Sequence, residues 1–222
     1  MLRARPVLIG LYGGTFDPVH YGHVHAAESV RKFLGLDTVR MVLNSQPVHK
    51  SASYAMTTHR WAMLETVCAN NPGLIADDVE VRRGGRSYTV DTLSILRSEF
   101  PQAVLCWIVG EDSFATLTSW RGWENLLEDC NLIVIPRPGP TVSFSPQIAA
   151  LCHKHERSGF DATSHGQIVR VNLSMREISS TQIRQRISLG QDIADLVDAD
   201  VEQYIHRNEL YKENATAKES SF

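Results

Sequence analysis

The sequence predicts an α/β fold built on one doubly wound parallel sheet. Short apolar runs recur along the chain, and segments of helical periodicity separate them. Such runs are typical of strands that are covered on both faces, and their alternation with helices favours parallel strands joined by right-handed crossovers. A glycine pair directly after the first run adds a third observation, because it allows a strand to turn sharply into a helix.

The apolar runs and the helical patterns define the expected elements in order. The predicted strands are Val7–Gly13, Thr38–Leu43, Ile75–Val81, Val104–Gly110, Leu132–Ile135 and Gln167–Val171. The predicted helices are Val19–Leu34, Thr57–Asn70, Ser87–Glu99, Ser113–Leu117, Gly122–Glu128, Ser180–Leu189 and Asp198–Arg207. Ligands of such sheets bind beyond the carboxyl ends of the strands, where the strand order reverses. Several polar motifs follow strand ends, so we expect them to meet at one edge of the sheet.

The length of 222 residues indicates a single domain, which we place at residues 1–211. Residues 137–166 show little periodicity and contain three prolines, so this segment is expected to be an irregular surface excursion. The polar tail 212–222 is expected to be disordered.

Composition excludes several classes of protein. A net charge of −3 and an isoelectric point near 6.3 predict no general attraction to nucleic acid or to membranes, so any polyanion must bind in a local pocket. The four cysteines are widely spaced, which indicates neither a zinc ribbon nor a disulfide framework. No run is long enough to cross a bilayer, and the N-terminal run lacks the features of a signal peptide. We expect a cytoplasmic protein; the sequence leaves homo-oligomerisation open.

The most informative stretch is GGTFDPVHYGH, residues 13–23, directly after the apolar run of residues 7–12. Its two glycines let the backbone turn and let a ligand approach without meeting a Cβ atom. Asp17 is expected to cap the following helix, with Pro18 at its first position. The N–H groups of a helix start, with nearby hydroxyl and imidazole groups, suit the phosphates of a nucleotide. For a glycine pair alone, an ordinary strand-to-helix turn would be the alternative.

His20 and His23 are three positions apart and therefore share one face of a helix, with Gly22 between them leaving room for a base or a ribose. One histidine alone would suggest a surface or capping residue. The spacing also fits zinc ligands, but no third and fourth ligand is evident.

Residues 13–23 resemble the signature of the nucleotidylyltransferase superfamily, in which His-x-Gly-His binds triphosphates, and this resemblance implies a Rossmann-like fold. A second stretch, ISSTQIR at 178–184, resembles the late Ile-Ser-Ser-Thr-x-Ile-Arg box of the same superfamily. Its hydroxyl and N–H groups lie at another predicted helix start, and Arg184 adds a multidentate charged donor. Alone, this box would be an ordinary Ser/Thr cap; the pair of boxes is far more specific.

Three further motifs resemble the bacterial nicotinate-nucleotide adenylyltransferases. NSQPVHK at 44–50 matches a Pro-Asn-x-x-Pro-Pro-His-Lys loop, although Leu43 and Val48 replace two of its prolines. SYTVDT at 87–92 matches a Ser-Tyr-Thr-x-x-Thr element. GED at 110–112 and Trp120 match a Gly-x-Asp turn and a downstream tryptophan.

The resemblance implies that ATP and nicotinate mononucleotide react to nicotinate adenine dinucleotide and pyrophosphate, with Mg²⁺ arriving on ATP and no metal site on the protein. The implied catalytic residues are His20, His23 and Arg184. The implied ATP-binding residues are Gly13, Gly14, Thr15, Phe16, Gly22, Gly110, Asp112, Ser179, Ser180 and Thr181. The implied mononucleotide-binding residues are Asn44, His49, Lys50, Tyr88, Thr89 and Trp120.

Two of these assignments have alternatives of comparable weight. Trp120 either stacks on the pyridine ring or is a half-buried core residue. Asp112 either binds ribose hydroxyls or caps a helix. For Thr89, the resemblance implies a cradle of donors around the nicotinate carboxylate, which would disfavour an amide by about 1–3 kcal/mol.

Other functions compete with this interpretation. The same triphosphate site could serve an enzyme acting on phosphopantetheine or on another phosphate monoester. A non-catalytic nucleotide sensor and a relative of the class I aminoacyl-tRNA synthetases are less well supported. The sensor does not explain why every expected phosphate-facing position holds a competent residue, and the synthetase would need a surface for tRNA that this acidic chain lacks.

Overall fold

A computed structural model describes residues 5–46, 53–136 and 143–212. Its one sheet has six strands in the order β3-β2-β1-β4-β5-β6, and every neighbouring pair is parallel. The strands are β1 (Leu8–Gly14), β2 (Thr38–Leu43), β3 (Leu74–Asp77), β4 (Val104–Gly110), β5 (Asn131–Ile135) and β6 (Ile168–Arg170). The predicted doubly wound parallel sheet is therefore confirmed.

The strand order reverses between β1 and β4. The chain first moves outward from β1 to β2 and β3, then returns to the other side of β1 to build β4, β5 and β6. Connections leave β1 and β4 in opposite directions, which opens a crevice beyond the carboxyl ends of these two strands. Both strands end in glycine, at Gly14 and Gly110.

Helices cover both faces of the sheet. They are α1 (Tyr21–Leu34), α2 (Thr57–Ala69), α3 (Val79–Arg83), α4 (Thr89–Glu99), α5 (Glu111–Ala115), α6 (Leu126–Asp129), α7 (Pro146–His155), α8 (Ser180–Ser188) and α9 (Ala199–Arg207), with 3₁₀ turns at Leu117–Ser119 and Trp123–Asn125. Side chains of β1 alternate between two cores. Leu11 packs on the face that includes Leu93 of α4, and Leu8 packs on the face that includes Val30 of α1. Burial on both faces explains why β1, β4 and β5 have no polar alternation.

The strand predicted at Ile75–Val81 is too long, because its second half is helix α3. The Asp77 carboxylate accepts a hydrogen bond from the Val79 backbone N–H at 3.0 Å, which turns the chain out of the sheet. Val79 is then buried and Val81 is exposed, as on a helix that packs with one face.

The segment 137–166 is not irregular throughout, since it contains α7. Ser145 caps this helix by accepting a hydrogen bond from the Ile148 backbone N–H at 3.3 Å, and Pro146 occupies its first position. Ile148 is completely buried and anchors the helix to the core. Within the described part of the chain, no helix is both long enough and apolar enough to cross a membrane.

Candidate active site

A cleft of about 1260 Å³ lies beyond the carboxyl ends of β1 and β4. All predicted site residues in the described part of the chain line it. They are Gly13, Gly14, Thr15, Phe16, His20, Gly22, His23, Asn44, Tyr88, Thr89, Gly110, Asp112, Trp120, Ser179, Ser180, Thr181 and Arg184. His49 and Lys50 lie outside the described residues. The topology thus brings residues from both ends of the chain into one cavity.

His20 and His23 form a stacked pair at the start of α1. Their ring centroids are 3.7 Å apart with the planes 25° from parallel, and His20 is only 5% exposed. The His20 backbone N–H donates to Nδ1 of His23 at 3.3 Å. A nitrogen that accepts this bond carries no proton, so the proton of a neutral His23 ring is on Nε2. The edge-on ring of Phe16, 5.0 Å from that of His23, supports this orientation.

The expected helix cap at Asp17 is wrong. Helix α1 begins at Tyr21 with His20 as its N-cap, so Asp17 and Pro18 precede the helix. The Asp17 carboxylate instead accepts hydrogen bonds from the backbone N–H groups of Tyr54 and Ala55, at 2.7 and 3.1 Å, and from the Tyr211 hydroxyl at 2.8 Å. Asp17 therefore ties the loop after β1 to the segment before α2 and to the C-terminal end of the described chain.

The glycines of the motif make room mainly for neighbouring side chains. A Cβ atom on Gly14 would lie 2.6 Å from the Phe16 ring, and one on Gly13 would lie 2.9 Å from the ring of Trp107. On Gly22 it would lie 2.9 Å from Nδ1 of His20. Gly22 therefore makes room for the His20 ring, and it also lines the cleft.

The start of α8 faces the same cleft and is bonded to the β1–α1 loop. Ser179 caps α8 by accepting a hydrogen bond from the Gln182 backbone N–H at 3.2 Å, and Ser180 Oγ donates to the Pro18 carbonyl at 3.0 Å. Arg184 donates to the Asp17 carbonyl at 2.7 Å. Its guanidinium also lies 4.1 Å from the centroid of the Tyr54 ring. Ser179 is therefore a helix cap, as the alternative interpretation of this box expects. The positive end of the α8 dipole also points at the cleft.

A buried arginine that the sequence analysis missed holds three loops at this edge. Arg60 of α2 is 1% exposed and donates to the carbonyls of Thr15, Asn44, Ser45 and Ala55 at 2.8–3.2 Å. Burial lowers the pKa of its guanidinium. These bonds join the loops that follow β1 and β2, so they fix the backbone that carries Thr15.

The other end of the cleft contains the residues predicted to bind the mononucleotide. Tyr88 is the N-cap of α4 and Thr89 is its first residue, so the free N–H groups of this helix start face the cleft. Ser87 fixes the approach to α4, because its backbone N–H donates to the Gln46 carbonyl at 3.0 Å and its Oγ accepts from the Gln46 N–H at 3.2 Å. Trp120 is half-buried and packs on the core, as one interpretation expects, and it also lines the cleft.

Three charged residues line this region. Two of them were not predicted from the sequence, and the third does not cap a helix as one alternative expected. Arg121 lines the cleft with its guanidinium 4.9 Å from the centroid of the Tyr88 ring. Glu80 of α3 lines it as well, although this residue is only 2% exposed. Asp112 is the second residue of α5, whose N-cap is Gly110, so the capping alternative for Asp112 is wrong. No sequence signal distinguishes Arg121 and Glu80 from surface charges.

Comparison with known proteins gives the family. A cytidylyltransferase-like family model matches residues 11–186. A protein of Aeromonas salmonicida (strain A449) named "Probable nicotinate-nucleotide adenylyltransferase" is 37% identical, and the match covers 92% of this chain and 97% of the relative. A protein of the same name from Pseudoalteromonas atlantica is 35% identical, with 97% and 100% covered.

A solved structure from Plasmodium falciparum, described as nicotinic acid mononucleotide adenylyltransferase complexed with NaAD, superposes with a TM-score of 0.71. The superposition covers 92% of this chain and 97% of that chain at 21% identity, which supports the fold. The two bacterial relatives confirm the resemblance seen in the sequence motifs. The chain belongs to the nicotinate-nucleotide adenylyltransferase family.

Proposed function

We propose that the protein transfers AMP from ATP to nicotinate mononucleotide, giving nicotinate adenine dinucleotide and pyrophosphate, by direct in-line attack of the mononucleotide phosphate on the α-phosphorus. The observation that carries the proposal is the stacked pair of His20 and His23 in one cleft with the start of α8 and Arg184. These groups are hydrogen-bond donors, as the binding of a triphosphate requires. Family membership supports the same reaction.

The nucleophile needs no protein base. The second pKa of a phosphate monoester is near ~6, so the attacking phosphate is largely a dianion at pH 7. The barrier comes from bringing two polyanions together and from the charge that develops on the departing pyrophosphate. Catalysis of such a transfer consists of positioning and of electrostatic stabilisation.

The donors of the triphosphate end have distinct proposed roles. His23, with its proton on Nε2, donates to the α-phosphate, and His20 and Thr15 bind beside it. The Thr15 hydroxyl is buried and has no hydrogen-bond partner among the described residues, so a phosphate oxygen would satisfy it. Arg184, Ser179, Ser180 and Thr181 hold the β- and γ-phosphates at the start of α8. Phe16, Gly13, Gly14 and Gly22 shape this end, and Gly110 and Asp112 lie on the ATP side at the end of β4.

The mononucleotide end selects the pyridine ring and its carboxylate. Trp120 and Tyr88 offer aromatic surface for the ring. The N–H groups at the start of α4, with the Thr89 hydroxyl, bind the carboxylate, because a helix N-terminus favours an anion. Asn44 follows β2 and lines the cleft, and His49 and Lys50 complete the proposed set as donors to the approaching phosphates.

Magnesium is proposed to enter as the ATP complex. No group of three His, Cys, Asp or Glu side chains able to hold a metal occurs within residues 5–46, 53–136 and 143–212, and the Asp17 carboxylate is already occupied by protein donors. Mg²⁺ carried by phosphate oxygens fits these residues, and it supplies charge neutralisation on the triphosphate.

A cytoplasmic location and a single domain over residues 1–211 are part of the same proposal. All four cysteines lie in the described part of the chain and are free thiols, as expected in a reducing compartment. Burial raises the pKa of Cys106 to about 12, so this thiol is inert rather than catalytic.

Pyrophosphate release by the pure protein tests the function. We expect release with ATP and nicotinate mononucleotide, slower release with the nicotinamide mononucleotide, and none with CTP or phosphopantetheine. Product from phosphopantetheine alone would instead indicate a different nucleotidylyltransferase, and tight ATP binding with no turnover would indicate a sensor.

His23→Ala tests the proposed donor to the α-phosphate. We expect kcat to fall at least about 100-fold with a modest change in ATP affinity, because the hydrogen bond acts mainly in the transition state. His25→Ala is the matched control, since His25 is on the same helix but bonds to the Ser174 carbonyl at 2.8 Å. Loss of ATP affinity with kcat intact would contradict the role of His23.

A further inference from the structure

Glu80 is a buried acidic side chain that faces the mononucleotide end of the cleft. It is 2% exposed and lines the cavity. Its Oε1 accepts a hydrogen bond from the Thr92 hydroxyl of α4 at 2.7 Å. Its Oε2 is buried and has no hydrogen-bond partner among the described residues. Because a buried carboxylate without a counter-charge is costly, a cation that enters the cleft would stabilise it.

Within the described ranges of the chain, no protein cation forms a direct ion pair with this carboxylate. Arg83, one turn further along α3, donates instead to the Thr92 hydroxyl at 3.3 Å and to the Arg86 carbonyl at 2.8 Å. The nearby charges Arg121 and Asp91 are 3.6 Å apart and far more exposed.

We propose that Glu80 is the counter-charge for the cationic pyridinium ring of the mononucleotide. The inference rests on the proposed function and extends it, because a pyridine nitrogen that carries a glycosidic bond is positively charged. Nicotinate and nicotinamide mononucleotide both carry this ring charge. Recognition of the ring charge is therefore separate from recognition of the carboxylate that Thr89 is proposed to bind. Thr92 holds one oxygen of Glu80, and the residue lines the cleft that receives the ring.

The ring charge can be removed without changing the rest of the substrate. Reduction of nicotinate mononucleotide to its 1,4-dihydropyridine form leaves the phosphate, ribose and carboxylate in place and makes the ring neutral. Glu80→Gln removes the charge of the side chain and keeps an oxygen that can accept from Thr92. Across about 10 Å at an effective dielectric constant near 20, a pair of unit charges changes affinity roughly tenfold.

The experiment compares kcat/KM for the oxidised and reduced mononucleotides, with equilibrium binding of both followed by tryptophan fluorescence. For Glu80→Gln we expect kcat/KM to fall about tenfold for the oxidised form, mainly through KM, and less than about twofold for the reduced form. Glu177→Gln is the matched control, since Glu177 also lines the cleft but is exposed, and its substitution should leave this selectivity unchanged.

A second variant separates charge from structure. Thr92→Val breaks the hydrogen bond to Glu80 but keeps its charge, so the preference for the oxidised ring should persist even if overall activity drops. Equal losses for both ring forms in Glu80→Gln, or no loss, would overturn the counter-charge role. Wild-type turnover without any preference for the oxidised ring would overturn it while leaving the proposed function intact. Wild-type protein that binds neither mononucleotide would overturn both.

Discussion

Replacing Tyr211 with phenylalanine removes one hydroxyl from a network that joins the C-terminal end of the described chain to the β1–α1 loop. The Tyr211 hydroxyl donates to Asp17 at 2.8 Å, and Asp17 keeps its backbone donors from Tyr54 and Ala55 in the variant. A hydrogen bond to a charged group contributes about 1.5–3 kcal/mol. We therefore expect the free energy of unfolding to fall by about that amount, which is a large part of a typical total of about 5–15 kcal/mol.

Urea denaturation of the two proteins at pH 7 measures this difference. Tyr204→Phe is the control, because the Tyr204 hydroxyl bonds to the His59 ring at 3.0 Å and not to a carboxylate, and its loss should cost only about 0.5–1.5 kcal/mol. A loss for Tyr211→Phe no larger than that of the control would refute the claim that Asp17 and Tyr211 form a charge-assisted bond.

The same bond predicts a dependence on alkaline pH. Burial, with the nearby Asp17 charge, raises the pKa of Tyr211 above the ordinary value of 10.0. The raised pKa means that the folded protein keeps this proton while the unfolded chain loses it. The stabilisation is therefore complete below pH 10 and is lost as the pH rises above it. The difference in stability between the wild type and Tyr211→Phe should narrow above pH 10.

Two further substitutions test the cleft. Gly22→Ala should destabilise the protein by about 1–3 kcal/mol and reduce kcat/KM for ATP, because the new Cβ atom would lie 2.9 Å from the His20 ring. Gly159→Ala is the control and should have neither effect, since nothing lies within 4 Å of its Cβ position. Wild-type kinetics in the Gly22→Ala variant would contradict this packing. Trp120→Ala should mainly raise the KM for the mononucleotide. Trp123→Ala should mainly reduce stability, because Trp123 packs on the core but does not line the cleft. An unchanged KM in Trp120→Ala would show that Trp120 belongs to the core alone.

Features encoded by neighbouring residues could be predicted from the sequence. The bounds of β2 and β4 agree with the prediction, because β2 ends where polar residues begin and β4 is an apolar run that ends in glycine. The predicted site residues meet in one cleft, since parallel strands place the motifs that follow them at the same edge of the sheet. Local periodicity failed at α3, where Val79 and Val81 imitate the alternation of a strand.

Features that depend on distant contacts could not be predicted. Asp17 has the sequence context of a helix cap, but its carboxylate is satisfied by Tyr54 and by Tyr211, which is 194 positions away. Arg60 lies in an ordinary helical pattern, and only the folded chain shows that it binds carbonyls of several loops. Glu80 was assigned to a strand, so its burial beside the cleft was not foreseen.

The central claim is that the protein aligns two anions and bonds covalently to neither. The stereochemical course at the α-phosphorus tests it most directly, using ATP with a chiral thiophosphate at that position and analysis of the dinucleotide product by phosphorus NMR. A single in-line displacement predicts inversion of configuration. Retention would indicate two displacements through a nucleotide attached to a side chain, and it would contradict the claim.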